Sequence, residues 1–423
     1  MKKIAVVGAG VTGVTTAYML RQQGYDVTVF DRHRYAGMET SFANGGQLSA
    51  SNSEVWNKAS TIIQGLQWML RRNAPLLVNP AWSWHKYSWM AEFVANIPSY
   101  RRNTIETVRL AIAAREHIFS IAQQEGIEFD LERRGIIHFY RDQKSFEKAR
   151  IVSTLYAVGG LERRELTPDE IRALEPTLKG SYYGGFFTPS DCTGDIHKFT
   201  RGLAEACLRK GVQFQQDATV DSILPTEFGY EVRWIPVSPD DGHSKAKIWR
   251  PAHVDGVVIC AGTASRRLAS SLGDRLNVYP VKGYSITLNL HTEIAQNAAP
   301  QVSILDDAAK IVTSRLGVDR FRVAGTAEFN GFNRDIRHDR IQPLVDWTRE
   351  QFPDVTTDRV VAWSGLRPMM PSMLPRVGRG RRPGIFYNTG HGHLGWTLSA
   401  ATAHLVTQAV MRELPPETSR IAA

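Results

Sequence analysis

The stretch KKIAVVGAGVTG, residues 2–13, decides the fold of this 423-residue chain. Its apolar run Ile4 to Val7 predicts a buried parallel strand, and the glycines that follow predict a tight turn into a helix. In such a turn Gly8 permits the reversal, Gly10 lets a pyrophosphate approach the backbone, and Gly13 lets the helix pack closely on the strand. Because the helix amino terminus then faces the phosphates, the stretch predicts a dinucleotide-binding unit.

The segments after this turn complete a βαβ unit. The helix is predicted from about Val11 to Gln23, and YDVTVFD, residues 25–31, follows as the second strand. Asp31 ends that strand, where an acid accepts hydrogen bonds from an adenosine ribose. Arg32 beside it would suit a 2′-phosphate, but we favour a dinucleotide without one. A glycine turn that binds no ligand is the structural alternative.

The composition is that of a soluble globular protein, with 43% hydrophobic and 22% charged residues, and the length favours two domains. The formal net charge of +9 favours an anionic partner, such as phosphate, nucleic acid, acidic lipid or a carboxylate substrate. No basic block interleaved with aromatic residues indicates a nucleic-acid groove, so we expect no nucleic-acid partner. Three scattered cysteines favour a reducing compartment and predict neither a disulfide framework nor a metal cage.

A polar segment after the second strand favours FAD over a nicotinamide cofactor. METSFANGGQLS, residues 38–49, has no periodicity and replaces the strand and helix repeats expected of a simple nicotinamide-binding fold. Its backbone and hydroxyl groups can donate to a ring system, from Ser41, Asn44, Gly45, Gly46, Gln47 and Ser49. An ordinary surface loop is the alternative interpretation.

The rest of the chain predicts an α/β fold class, in which an FAD-binding Rossmann-like domain is interleaved with an α+β substrate domain on a large mixed sheet. Strands that would wall a pocket are predicted at 278–290, 302–306, 310–315 and 321–329. The predicted FAD-binding domain comprises 1–80, 186–275 and 355–423, and the predicted substrate domain comprises 81–185 and 276–354.

Six motifs together resemble those of the D-amino acid dehydrogenase small subunit family, within the D-amino acid oxidase and glycine oxidase flavoprotein superfamily. They are GAGVTG (8–13), ETSFANGGQLS (39–49), TGD (193–195), YPVKGYSITL (279–288), SGLRPMMPSMLP (364–375) and NTGHGHLGWTLS (388–399). The resemblance implies FAD as cofactor and oxidation of D-amino acids to 2-oxo acids and ammonia. It also implies an electron acceptor other than oxygen, for which we expect a quinone.

The resemblance also implies which residues contact FAD. In the amino-terminal half these are Gly8, Gly10, Val11, Thr12, Gly13, Asp31, Arg32, Ser41, Asn44, Gly45, Gln47, Leu48 and Ser49. In the rest of the chain they are Val220, Ala261, Gly262, Gly390, Gly392, His393, Leu394, Gly395 and Thr397. The glycines of the last motif are expected to pass the backbone against the isoalloxazine, with the next helix aimed at its pyrimidine side.

Arg367 is the predicted substrate anchor, because it falls where the family places the arginine that grips the substrate carboxylate, and a planar guanidinium holds a carboxylate bidentately. A structural arginine paired with a buried acid is the alternative. Tyr284 is predicted either to reach the substrate with its hydroxyl or to be a core tyrosine. The role of Lys282 is left open in the same way. His391 is a further catalytic candidate, although His393 could equally touch flavin or substrate.

The predicted chemistry needs few protein groups, because the flavin accepts hydride from Cα at N5 and the resulting imine hydrolyses. No metal is expected, since the HxH spacing of His391 and His393, with His404 as a third candidate, is a weak metal signal. Cys192 stands where the family has an acid, which leaves D-proline or hydroxy-D-proline as alternative substrates. An oxygen-reducing oxidase of the glycine oxidase type is another alternative. An electron-transfer or structural flavin subunit of a larger complex remains the alternative of a different class.

The segment from Val55 to Ala91 contains no Asp or Glu and is rich in tryptophans and cations. They are Trp56, Lys58, Trp68, Arg71, Arg72, Trp82, Trp84, Lys86 and Trp89. Such a composition suits either an anionic membrane surface or a protein core or subunit contact. No segment is apolar enough to span a bilayer, so we expect a cytoplasmic protein that binds the inner face of the membrane peripherally. The oligomeric state stays open.

Overall fold

The computed structural model describes residues 1–69, 75–237 and 248–417. Its helices are α1 (Val11–Gln22), α2 (Ala59–Met69), α3 (Trp84–Ala95), α4 (Tyr100–Glu125), α5 (Gln143–Val158), α6 (Pro168–Leu174), α7 (Ile196–Arg209), α8 (Ser265–Ser271), α9 (Glu293–Ala298), α10 (His338–Gln351) and α11 (Gly395–Glu413). Its strands are β1 (Lys3–Val7), β2 (Asp26–Phe30), β3 (Gln47–Leu48), β4 (Leu76–Val78), β5 (Ile136–Tyr140), β6 (Arg164–Leu166), β7 (Gly184–Thr188), β8 (Cys192–Thr193), β9 (Gln213–Gln215), β10 (Ala218–Thr226), β11 (Gly229–Pro236), β12 (Arg250–Val254), β13 (Gly256–Ile259), β14 (Tyr279–Asn289), β15 (Ser303–Asp306), β16 (Ile311–Leu316), β17 (Arg320–Phe329), β18 (Val360–Met369), β19 (Arg376–Arg379) and β20 (Ile385–Thr389).

One sheet has six strands in the order β19-β20-β13-β1-β2-β9. Its strand β1 pairs in parallel with both β2 and β13. Both faces of β1 are covered, which is why its apolar residues form a continuous run instead of alternating with polar ones. Ile4 and Val6 belong to a core cluster with α1, α7 and α11, whereas Ala5 and Val7 belong to a second cluster with α8 and the sheet β10-β11-β12.

The second sheet runs β18-β14-β17-β16-β15-β5-β7-β6, and β4 pairs with β17. Its longest contact joins β14 and β18 in antiparallel register, with Gly283 opposite Gly365. One face packs on α10 through an apolar cluster that includes Ile286, Val323 and Leu344. Residues of the opposite face and of the first sheet line a common cavity, so the two sheets together position the site.

These findings confirm the predicted fold class and the predicted strands and helices that fall in the described residues. Helix α1 and strands β1 and β2 agree with the amino-terminal prediction, and the four predicted wall strands are β14, β15, β16 and β17. The polar stretch SPDDGHSKA, residues 238–246, is predicted from the sequence to be a hairpin loop and lies outside the described residues. Within the described part of the chain, no helix is long and apolar enough to cross a membrane.

The predicted domain limits differ from sheet membership at three places. Strand β4 lies in the predicted FAD-binding segment but pairs with β17 of the large sheet. The limit at residue 186 falls inside β7, and β18 belongs to the large sheet although it was assigned to the FAD-binding domain. The chain crosses between the sheets at these places because β18 and β4 supply neighbours that β14 and β17 need for their backbone hydrogen bonds.

Candidate active site

A cavity of about 1170 Å³ lies between the two sheets. Apart from Gly13 and Leu48, every residue predicted to contact FAD lines it, as do Arg367, Tyr284 and His391. Gly13 instead serves packing: a Cβ there would lie 1.8 Å from the Gly8 carbonyl oxygen. Gly8 itself has φ +109°, a conformation that favours glycine. The Gly13 contact confirms its predicted role in close helix packing.

The carboxylate of Asp31 is fixed by the backbone at the end of β2. The Ala9 amide donates to its Oδ2 at 2.6 Å, and the His33 amide donates to its Oδ1 at 2.8 Å. Burial raises the pKa of Asp31, and the two amide donors oppose that shift. The neighbouring Arg32 is paired with Glu39 instead of standing free for a 2′-phosphate. This pairing supports our preference for a dinucleotide without that phosphate.

The polar loop of residues 38–49 bridges the two sheets. Ser41 Oγ accepts from the Val11 amide at 3.1 Å, next to the amino terminus of α1. Gln47 Nε2 donates to Ser303 Oγ at 2.8 Å, whereas its buried Oε1 has no hydrogen-bond partner. An unpartnered buried acceptor fits the N–H donor of a flavin ring. Leu48 differs from its prediction, because its side chain is buried in a core cluster and does not border the cavity.

Asp191, which no local sequence signal marks, organises the segment after this loop. Its buried carboxylate accepts from the Ala50 and Ser51 amides at 2.9 and 3.0 Å and from Ser49 Oγ at 3.1 Å. Arg115 Nη1 donates to it at 3.1 Å and balances its charge.

The neighbouring Cys192 was noted only as a departure from the family. Burial raises the pKa of the Cys192 thiol to about 12, so this side chain is unreactive at neutral pH.

Val220, Ala261 and Gly262 line the cavity beside β13, as predicted for residues that flank the ADP part. Gly262 has φ +53°, and a Cβ on it would meet no atom within 4 Å. Arg267, which the sequence analysis did not single out, also lines this end and donates to the Val220 carbonyl at 2.8 Å. The uncapped amino terminus of α1 and the open backbone at Gly262 thus fit the diphosphate and adenosine of FAD.

The glycines of the last motif pack on strand β18 as well as lining the cavity. A Cβ at Gly390 would lie 2.5 Å from Met370 Cγ, and one at Gly392 would lie 2.7 Å from Met369 Sδ. Helix α11 begins at Gly395 with no side-chain cap on its first amides. The first residues of the helix, which no side chain caps, border the cavity together with Thr397, as expected for a helix aimed at a flavin ring.

The two histidines of this motif face different neighbours. His391 Nε2 contacts Thr402 Oγ1 on α11 at 2.9 Å. His393 stacks on Trp56 with ring centroids 4.9 Å apart, and its buried Nδ1 has no partner. Burial lowers the pKa of His391 to about 3 and, together with the charge of Arg367, lowers that of His393 to about 4. The geometry therefore favours His393 over the predicted His391 for substrate contact, and both rings are neutral at pH 7.

Arg367 presents its guanidinium to the cavity from strand β18. Nη1 donates to the Thr326 carbonyl at 2.8 Å, and no carboxylate of the described residues lies within ion-pair distance. The guanidinium lies directly over Gly283, where a Cβ would be 2.3 Å from Cζ. The Trp363 ring covers the opposite Gly365 in the same way. Burial lowers the pKa of Arg367 to about 10, so it is still a cation at pH 7.

Tyr284 lines the cavity, but its hydroxyl is directed to a protein partner and not toward the side of Arg367. Tyr284 pairs with Ser364 on β18, so the pleat places it on the opposite sheet face from Arg367. Its hydroxyl donates to Glu328 Oε2 at 2.7 Å. Lys282, on that same face, lies 3.3 Å from Glu328 Oε1. Both residues therefore belong to a buried ionic cluster beneath the sheet. This placement agrees with the alternative in which each has a structural role in the core.

Comparisons with known proteins agree with this geometry. Residues 3–409 match the family model described as DAO, FAD dependent oxidoreductase. The chain is 60% identical to D-amino acid dehydrogenase 3 of Mesorhizobium japonicum over 423 residues, which cover 100% of both chains. It is 40% identical to the D-amino acid dehydrogenase of Paramagnetospirillum magneticum, over 96% of this chain and 94% of that one.

Among solved structures, glycine oxidase from Geobacillus kaustophilus superposes with a TM-score of 0.73 at 21% identity, over 98% of this chain and 96% of that chain. This likeness concerns the fold. Together with the family match, it confirms the superfamily that the six motifs indicated and confirms FAD as the cofactor. The chain is a member of the DAO family of FAD dependent oxidoreductases.

Proposed function

We propose that this protein oxidises D-amino acids to 2-oxo acids and ammonia with bound FAD and passes the electrons to a quinone instead of oxygen. The observation that carries the proposal is Arg367, a cation without a carboxylate partner in the described residues, exposed to a cavity whose other walls fit FAD. A small carboxylate is the ligand that such a guanidinium lacks. The names of the full-length relatives favour a D-amino acid as the source of that carboxylate.

The protein groups hold and prepare the substrate. Arg367 binds the α-carboxylate and fixes where Cα lies. Its charge also disfavours a protonated amine beside it, so the substrate is held with the nitrogen lone pair available. The neutral ring of His393 adds no second positive charge, and its unpartnered Nδ1 is the polar atom left for the amine. Bound FAD supplies the two-electron oxidation, and water hydrolyses the imine product.

Anaerobic bleaching of the flavin by a panel of D- and L-amino acids tests this proposal. We expect bleaching by at least one D-amino acid, including D-proline as a panel member, and none by its L-enantiomer. Turnover with a dye but little peroxide would support a dehydrogenase, whereas peroxide at a similar rate would identify an oxidase. A yellow protein that no amino acid bleaches would favour the electron-transfer subunit instead.

The structure narrows the surface that would dock on a membrane. Trp82 and Trp84 are 78% and 70% exposed. In contrast, Trp89 is buried and donates to the Met369 carbonyl, and Lys86 is buried with its ammonium on backbone carbonyls. Arg71 and Arg72 lie outside the described residues. We therefore propose that Trp82 and Trp84 insert into the lipid interface, which would bring the protein to its quinone.

Replacing both exposed tryptophans should release the protein from vesicles. We expect Trp82→Ala/Trp84→Ala to lower binding to phosphatidylglycerol liposomes about tenfold or more, because two interfacial aromatic anchors are lost. Sedimentation at low salt measures this. Phe228→Ala is the matched control, since Phe228 is 84% exposed in the turn between β10 and β11. Wild-type protein that fails to sediment with the liposomes would refute membrane docking.

A further inference from the structure

Exposed side chains line the cavity in two places that differ in chemistry, and we call these places its two mouths. The first, the basic mouth, is lined by Lys144, Lys148, Arg163 and Lys310. The second, the apolar mouth, is lined by the α2 and α3 side chains Ile62, Ile63, Trp68, Met90 and Val94. The cavity lining thus offers two chemically different places at which a ligand could enter.

Cations dominate the basic mouth. Lys310 is paired with Asp307 at 2.6 Å, but Lys144, Lys148 and Arg163 have no carboxylate partner among the described residues. Arg163 donates only weakly, to Ser153 Oγ at 3.3 Å and to the Tyr140 hydroxyl at 3.4 Å.

A neighbouring titratable group reports the positive potential of this mouth. Arg163 and Lys310 both act, with burial, to lower the pKa of His138, which also lines the cavity. Cations in a cleft attract anions and raise their rate of association. The basic mouth is therefore suited to a water-soluble anion.

The apolar mouth presents exposed hydrocarbon beside the uncharged polar side chains of α2, which are Ser60, Thr61, Gln64 and Gln67. Ile63 is 59% exposed and Val94 is 48% exposed, although both line the cavity. Deeper in, Leu76, Val78 and Phe93 continue the apolar wall. Transfer of a carboxylate through such a wall is unfavourable, whereas a lipophilic ring gains from it.

The strand order keeps the two mouths apart. The apolar mouth borders β17, because β4 pairs with that strand. The basic mouth borders β5, where Tyr140 lies, and the turn from β15 to β16 that holds Lys310. Three strand spacings separate β17 from β5 in the sheet, which is roughly 14 Å.

We propose that the amino acid enters and the 2-oxo acid leaves by the basic mouth, while the lipophilic electron acceptor reaches the flavin by the apolar mouth. The inference rests on the proposed function and deepens it. The acceptor can then approach from a lipid phase while the polar substrate and product exchange with water. Neither half of the reaction blocks the other.

Rapid mixing of the holoenzyme measures the two halves separately. The reductive half is flavin bleaching by D-glutamate or by the most reactive D-amino acid of the panel. The oxidative half is reoxidation of the reduced enzyme by decylubiquinone, with dichlorophenolindophenol as a small water-soluble acceptor for comparison. Flavin absorbance confirms that each variant retains its cofactor.

We expect Lys144→Glu/Lys148→Glu to slow flavin reduction by D-glutamate about tenfold at low salt, with a smaller effect at high salt. Its reoxidation by decylubiquinone should stay within about twofold. The matched control is Arg201→Glu/Arg209→Glu on α7, which reverses two exposed charges outside the cavity and leaves the same net charge.

The converse is expected of Ile63→Glu/Val94→Glu, which should slow reoxidation by decylubiquinone about tenfold. Flavin reduction and reoxidation by the dye should be unchanged in this variant. The proposal is overturned if each pair slows both halves equally or if the two effects are exchanged.

Failure of the proposed function gives a different result. If no D-amino acid bleaches the wild-type flavin, the proposed function fails, and the role of the basic mouth fails with it. The apolar mouth is still decided in that case by reoxidation of dithionite-reduced enzyme with decylubiquinone. Equal rates in wild type and Ile63→Glu/Val94→Glu would then overturn it too.

Discussion

Arg367→Ala is expected to lower kcat/KM for the D-amino acid about 10³-fold, which corresponds to about 4 kcal/mol. The guanidinium has no carboxylate partner among the described residues, so its removal leaves the substrate carboxylate without a counter-charge inside the cavity. Arg367→Lys keeps the charge but loses the planar fork, and we expect about a 10²-fold loss. Steady-state kinetics with a dye acceptor measure both effects, and the flavin spectrum should not change.

Arg315→Lys is the matched control for Arg367→Lys. Arg315 is also buried and donates to backbone carbonyls, but it does not line the cavity. Its replacement should lower Tm and leave kcat/KM within about twofold. If Arg367→Ala keeps kcat/KM within about threefold of wild type, the substrate carboxylate is bound elsewhere.

Gly283→Ala should lower kcat/KM about 10²-fold although Gly283 itself offers no functional group. An added Cβ would lie 2.3 Å from both Cζ and Nη1 of Arg367, so the guanidinium must leave its place. Displacement of an anchoring group by about 1 Å lowers the catalytic rate by about 10²-fold. The moved atoms end a flexible side chain, so we expect Tm to change little. Gly283 is thus a positioning residue, measured by kcat/KM and thermal unfolding together.

A double variant separates positioning from a general packing effect. If Gly283 acts only through Arg367, then Gly283→Ala/Arg367→Ala should be no slower than Arg367→Ala alone. Gly365→Ala serves as the control, because its Cβ would meet the Trp363 ring at 2.2 Å instead of the guanidinium. Multiplied losses in the double variant would show that the alanine disturbs the site independently of Arg367.

Local sequence signals predicted the cofactor-binding half well. The β1-α1 turn needs glycine at particular positions because the backbones of Gly8 and Gly13 approach each other closely. Asp31 directly follows β2, the second strand of the same βαβ unit. Arg367 was found through a motif, and the structure adds why it is free: no acid packs against it within the described residues. Such features can be predicted because they depend only on residues that are adjacent in sequence or on one recognisable motif.

The features that the sequence leaves open depend mainly on long-range contacts. Whether the Tyr284 hydroxyl lies on the side of Arg367 depends on its pairing with Ser364, which no local pattern reveals. Asp191 was missed because its partners are the amides of Ala50 and Ser51, about 140 residues earlier. Lys86 is one of the cations that suited either a membrane surface or a core, and backbone carbonyls satisfy its ammonium in the interior. For Tyr284 and Asp191 the decisive contact is made by a distant segment, whereas Lys86 contacts carbonyls only five and seven residues away in sequence.

The pairing of β1 with β13 has a consequence for biosynthesis. These neighbours are separated by about 250 residues, and β20 and α11 join still later. At about 5–20 residues per second, a ribosome needs roughly 13–50 s to make the second strand after the first. During this delay β1 has β2 beside it but lacks its second neighbour β13, and the flavin crevice is incomplete until translation reaches α11. Cofactor capture is therefore a late, near-terminal event in maturation.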